Sequence, residues 1–234
     1  MTADRPIYAL NYTYATDSLI DAPDSIEALA RHYIRQMLQV QPTGPYFFFG
    51  FSSGATIAYE MILQLLAGGQ RVAHAVFIEP TLNPKGTLDN FSRIAADVGS
   101  TGLSINSLAN FSRVFMVMAK RRPRVIRDAI RTRWHRALGT PMPPRLRWLN
   151  YLAHIRPAVS SYVYKPLSVP VDFFYRGYEG DSIDYYRRFW SATTGAHVEL
   201  HTVSGTDQHL DLMSERALQQ IAAVLDQRVL QFSR

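Results

Sequence analysis

The sequence predicts an α/β fold: a mostly parallel sheet flanked by helices, with a helical insertion. Three observations predict it. The first 80 residues alternate strand-like and helix-like segments. The segments Tyr46-Phe47-Phe48-Phe49 and Val72 to Ile78 are apolar with no polar alternation, the pattern of strands buried on both faces of a parallel sheet. The alternation stops near Pro84 and resumes with Val169-Pro170-Val171.

Each element has its own local warrant. Ile7 to Tyr12 is short and aromatic and reads as a strand. Asp24-Ser25-Ile26-Glu27 is a helix start, after which Ile26, Leu29, Ala30, Tyr33, Ile34, Met37 and Leu38 recur at helical spacing. Pro42-Thr43-Gly44-Pro45 is turn chemistry. A second helix follows from Ala55 to Leu66 and stops at Gly68-Gly69. Residues 84–167 carry helix-like stretches near Leu108–Arg122, Val125–Leu138 and Arg145–Ile155, broken by Pro141-Met142-Pro143-Pro144. Val169 to Arg176 and Ala196 to Val203 read as strands, and Leu218, Ile221, Ala222, Leu225, Val229 and Leu230 mark a last helix. The organisation is one domain of 234 residues: a core at 1–83 and 168–234, and an insertion at 84–167.

Composition excludes several classes of function. Hydrophobic residues are 47% and charged residues 19%, which is globular rather than disordered. With no cysteine there is no disulfide framework, thiolate nucleophile or cysteine-held metal. No apolar run approaches the ~20 residues of a membrane span, and the first residues lack a signal-peptide core, so the expected compartment is cytoplasm. The net charge of +6 is uneven. Arg113 to Arg156 holds twelve basic residues against Asp128 alone, a net +11; the rest of the chain, with 13 bases and 18 acids, is −5. The segment has no nucleic-acid-binding motif, and charge alone is only a footprint.

The chemistry is concentrated at Gly50-Phe51-Ser52-Ser53-Gly54, a G-x-S-x-G sequence between an apolar strand and an amphipathic helix. In that context the glycines allow a sharp turn that holds Ser52 strained at a helix N-terminus. There the backbone N–H of Ser53 is an expected oxyanion donor. A serine nucleophile needs a base, and the base an orienting carboxylate. Of seven histidines, His209 in Ser204-Gly205-Thr206-Asp207-Gln208-His209 lies in the loop where an α/β-hydrolase carries its base. His32, His74, His135, His154, His197 and His201 read as structural or surface residues. For the acid, Glu79 ends the strand after the serine strand and would emerge at the same sheet edge as Ser52. The alternatives are Glu179, Asp181 and Asp184 in the loop after Phe173-Phe174-Tyr175, and Asp207.

Pro42 through Glu60 resembles the nucleophile region of the type I thioesterase domains that terminate nonribosomal peptide and polyketide synthetases. Tyr151 through Val171 resembles the exit from their lid into the next strand, and Gly205 to Met213 resembles their histidine loop. The resemblance implies an α/β-hydrolase fold with catalytic Ser52, Glu79 and His209, and makes the basic insertion a lid over Ser52. It implies no cofactor or metal of the protein's own. The substrate would be an acyl or peptidyl chain on the phosphopantetheine arm of an acidic carrier protein. Release would be by hydrolysis or cyclisation, with neither nucleic acid nor membrane as partner. The chain departs from the pattern in three ways. Glu79 stands where the family usually has Asp. The histidine loop is about two residues longer. The family's strand and oxyanion loop ahead of Ile7 have no counterpart, so the chain is expected to begin one strand late, without a source for the second oxyanion donor. Two other classes of function stay open at this level: a stand-alone esterase or lipase with the same triad, and a truncated, non-catalytic scaffold.

Overall fold

The computed structural model describes residues 6–10, 25–80, 123–176, 181–194, 198–206 and 208–231. In chain order these form α1 (Ile26–Val40), β1 (Tyr46–Phe51), α2 (Ser53–Ala67), β2 (Val72–Ile78), α3 (Pro123–Leu138), α4 (Pro144–Ser161), β3 (Val171–Arg176), α5 (Asp181–Thr193), β4 (Val198–Val203), a 3-10 turn (His209–Met213) and α6 (Glu215–Gln231). The chain divides into two compact units. One holds the sheet with α1, α2, α5 and α6; the other holds α3 and α4.

Among the described residues the sheet has four strands in the order β1-β2-β3-β4, every pair parallel. Parallel register puts all four C-terminal strand ends along one edge, so side chains just beyond those ends can meet. One face of the sheet carries Val76, Ile78, Phe174 and Val203, which pack against Leu212 of the 3-10 turn and Ala217 and Ile221 of α6. The other face is aromatic. Phe173 stacks on Trp190 of α5 with ring centroids 4.1 Å apart, and Tyr59 of α2 meets both Phe77 and Trp190. The indole N–H of Trp190 donates to the Tyr175 hydroxyl at 2.6 Å, which keeps a fully buried tryptophan satisfied. The only charged residue in the interior of α2, Glu60, accepts from Gln64 (2.8 Å) and Tyr162 (2.7 Å).

The helices begin where the sequence directs. Ser25 caps α1, its hydroxyl accepting from the Ala28 N–H at 3.1 Å, and Glu27 lies in the first turn. Ile26, Leu29, Ala30 and Tyr33 form the buried stripe. In the second unit the lone acid of the basic segment is buried: Asp128 of α3 pairs with Arg145 of α4 at 3.1 Å. The helix expected near Leu108–Arg122 lies outside the described residues.

Three expectations are corrected. Ile7 to Leu10, the described part of the first expected strand, is not in the sheet; Ile7 and Tyr8 are 78% and 61% exposed. A short strand holds only where a neighbour bonds it and a face is buried, and among the described residues these have neither. β1 is also not buried on both faces. It is an edge of the described sheet, bonded to β2 alone, and Phe47 and Phe49 are exposed while Tyr46 and Phe48 are buried. Finally, Asp181 and Asp184 belong to a helix rather than a loop. Asp181 opens α5, and the burial of Trp190 beneath Phe173 fixes that helix to the sheet.

Candidate active site

Ser52 follows β1 directly and serves as the N-cap of α2 with φ 55° and ψ −124°. For a residue with a Cβ this is a strained backbone, worth about 1–3 kcal/mol, that neighbours must hold in place. They do so by two hydrogen bonds: the Ser52 N–H donates to the Ile78 carbonyl at 2.8 Å, and the Ala55 N–H donates to the Ser52 carbonyl at 3.0 Å. The motif's two glycines have different roles. A Cβ on Gly50 would lie 2.5 Å from the Ala55 Cα, so α2 can leave the strand at this angle only over a bare backbone. Around Gly54 nothing lies within 4 Å of such a Cβ. The turn therefore depends on Gly50, and the strain falls on Ser52 itself. Ser53 opens α2, so its backbone N–H is one of those left without an intrahelical partner at the positive end of the helix dipole.

Glu79 repeats this arrangement one strand over. It follows β2, it is the other described non-glycine residue at positive φ (41°), and its N–H donates to the Phe174 carbonyl at 2.9 Å. The backbone thus turns its carboxyl group inward, where only 7% of it is exposed. One carboxylate oxygen, Oε2, is bonded to Nδ1 of His209. The other, Oε1, accepts from Nε of Arg176 at 2.6 Å and from the Arg176 backbone N–H at 3.4 Å. Burial on its own would raise the acid's pKa. The bonds from His209 and Arg176, together with their charge, outweigh it and hold the group below the usual carboxylate range.

His209 is the first residue of the 3-10 turn. The turn is fixed by a capping box in which Asp211 accepts from the Gln208 N–H at 2.7 Å. Before it, the Thr206 hydroxyl donates to the Val203 carbonyl at 2.7 Å and Gly205 takes a positive φ. The imidazole stacks on Phe51, centroids 4.6 Å apart. Phe51 is the residue before Ser52, so the imidazole and the serine share the end of β1. With its Nδ1–H given to Glu79, the ring offers Nε2 as an acceptor.

The structure thus brings Glu79 and His209 together at the strand edge where Ser52 turns. It does not bring Asp184 there: that side chain is 64% exposed and faces Arg187 on its own helix. Glu179 and Asp207 lie outside the described residues. Two contributors have no local signature. Arg176 reaches Glu79 only because β3 runs parallel beside β2, and Phe51 reaches His209 only through the fold.

Four other histidines have different partners, and His197 lies outside the described residues. His32 contacts Gln36 and His135 contacts Thr140. His74 and His201 both direct Nε2 at Asp172, at 2.7 and 2.6 Å, at the far end of the sheet. Asp172, Glu199 and His201 are close enough to suggest a cation site. However, Arg228 donates to Asp172 (3.1 and 3.3 Å) and pairs with Glu199, so a guanidinium already neutralises that space. Asp172, buried, is held far below the ordinary carboxylate range: burial opposes ionisation, and the bonds from His201, His74 and Arg228 overcome it.

The parallel sheet, with Ser52, Glu79 and His209 at one strand edge, has the architecture of the α/β-hydrolase fold. The family model described as the thioesterase domain matches residues 4–93, a stretch that contains Ser52 and Glu79 and ends before His209. A non-reducing polyketide synthase, atnG of Arthrinium sp, is 31% identical over 151 residues, 62% of this chain and 7% of that protein. The thioesterase domain of NocB from the nocardicin cluster superposes with a TM-score of 0.52 at 18% identity, covering 88% of this chain and 73% of that one. A four-domain nonribosomal peptide synthetase bound to AMP and glycine superposes with a TM-score of 0.56 at 23% identity, covering 90% of this chain and 16% of that one. The chain therefore spans a small fraction of the curated synthase it matches. It resembles the thioesterase domains of polyketide and nonribosomal peptide synthases and shares their α/β-hydrolase fold. No described helix is long and apolar enough to cross a membrane.

Proposed function

We propose that this chain is a serine thioesterase that releases an acyl or peptidyl chain from the phosphopantetheine thioester of a carrier protein. The observation that carries the reading is the Glu79–His209 bond at the same strand edge as the strained Ser52 turn. In the first half-reaction His209 Nε2 takes the Ser52 proton as Oγ attacks the thioester carbonyl. The tetrahedral oxyanion forms at the N-terminus of α2, where the Ser53 N–H can donate to it. The C–S bond then breaks, His209 returns its proton to the departing sulfur, and an acyl-Ser52 ester remains. In the second half-reaction His209 deprotonates water, or a hydroxyl or amine of the chain itself, as it attacks the ester carbonyl; the bond to Ser52 Oγ breaks and His209 returns the proton to that oxygen. Glu79 holds the imidazole with Nδ1 protonated and stabilises the imidazolium in both halves. The protein supplies no cofactor to this scheme; the reactive thioester arrives on the carrier's arm.

Labelling with a fluorophosphonate tests the assignment. Ser52 is expected to be modified, and Ser52→Ala to lose the label. Labelling that persists in Ser52→Ala overturns the reading.

A further inference from the structure

We propose that Arg176 is a positioning residue of this site: it pins one oxygen of Glu79 so that the other faces His209. The inference rests on the reading above for its catalytic consequence, but its physical content concerns Glu79 and His209 alone.

The division of the carboxylate is the first support. Oε1 is taken twice by Arg176, through Nε and through the backbone N–H, and Oε2 is left to His209. Glutamate has one more rotatable bond than aspartate, so a glutamate acting as orienter needs a second anchor to present one oxygen in a fixed direction. A short Nε bond combined with a backbone bond from the same residue is such an anchor.

Charge is the second support. Burial works against ionisation of Glu79, and the bonds and charge of His209 and Arg176 outweigh it. Arg176 holds its charge at every working pH, so its share of that stabilisation does not depend on the state of the imidazole. The Arg176 side chain is 25% exposed, so its field is only partly screened.

The test compares wild type with Arg176→Met, Arg176→Gln and Arg176→Lys by two readouts. In the first, the side-chain carboxyl signal assigned to Glu79 (absent in Glu79→Gln) is titrated by NMR. Its midpoint should rise by about one pH unit in the Met and Gln variants, the scale expected when a neighbouring opposite charge is lost. Arg176→Lys should keep the wild-type midpoint, since the charge remains. In the second, the plateau rate of fluorophosphonate labelling should fall about tenfold in all three variants, Arg176→Lys included, because none keeps the Nε–H that holds Oε1. Folded Met and Gln variants with an unmoved Glu79 midpoint overturn the proposal. Absence of labelling in wild type would instead overturn the serine-hydrolase reading, and the NMR midpoint would still decide the role of Arg176.

Discussion

Nδ1 of His209 bonds Oε2 of Glu79 across 130 residues of sequence, and the two meet at the edge where β1 and β2 end. The family resemblance would have favoured Asp at this position. The longer side chain reaches because Glu79 sits at φ 41°, which turns it inward from the strand end. Glu79→Gln keeps the shape but removes the charge, and the amide can present its N–H₂ to the ring and favour the wrong tautomer. Turnover of a small thioester should fall by about 10³–10⁴-fold. Asp184→Asn, on the exposed face of α5, should leave turnover unchanged. A larger loss in Asp184→Asn than in Glu79→Gln would move the acid to α5.

The two glycines of the serine motif should respond oppositely to one methyl group. In Gly50→Ala the new Cβ would lie 2.5 Å from the Ala55 Cα, a backbone atom that can move only if α2 moves. A loss of at least 1–3 kcal/mol in urea unfolding is expected, roughly the cost of overpacking, together with loss of fluorophosphonate labelling. Gly54→Ala meets open space in the first turn of a helix, so stability should hold or rise by up to about 1 kcal/mol with labelling retained. Equal destabilisation by both variants would contradict this division of roles.

Which parts of this were legible in the sequence follows from the range of the interactions. The serine turn was legible because its whole signal, apolar strand, glycine, serine and amphipathic helix, lies within about twenty consecutive residues. Glu79 and His209 were legible through topology: parallel strands end on one edge, so the residue after β2 and the loop after β4 have to be near Ser52. Arg176 and Phe51 were not, because their roles depend on side-chain direction at a strand end. Asp181 and Asp184 read as loop residues because they follow a strand end directly; the helix they begin is fixed by the seating of Trp190 on Phe173. The Ile7 strand failed for the converse reason. Local β-propensity was present, but the described sheet gives those residues no neighbour.

The Asp172 cluster predicts how stability depends on pH. This aspartate's folded-state pKa is depressed, so its contribution to stability is fully present above the unfolded-state value of about 3.9 and is lost as pH falls below it. Wild type should therefore lose unfolding free energy steeply below about pH 4. Asp172→Asn should be less stable at neutral pH by about 3–5 kcal/mol, since it leaves Arg228 and two imidazoles around a neutral amide. The deficit should narrow in acid. Parallel pH profiles for the two proteins, measured by urea unfolding, would rule out this account.

The basic segment gives the last prediction, which concerns encounter rather than chemistry. Not all its arginines are equivalent. Arg145 is committed to the buried Asp128, so its replacement should cost stability. Arg131 and Arg133 are exposed on α3. If the substrate arrives on an acidic carrier protein, Arg131→Glu together with Arg133→Glu should lower kcat/KM for acyl transfer from that carrier by about tenfold or more at low salt. The difference should shrink at 0.5 M salt, where the Debye length falls to about 4 Å. Turnover of a small uncharged thioester should be unaffected, because it needs no steering. Equal slowing of both substrates, or a carrier effect that does not respond to salt, would remove α3 from the carrier's path.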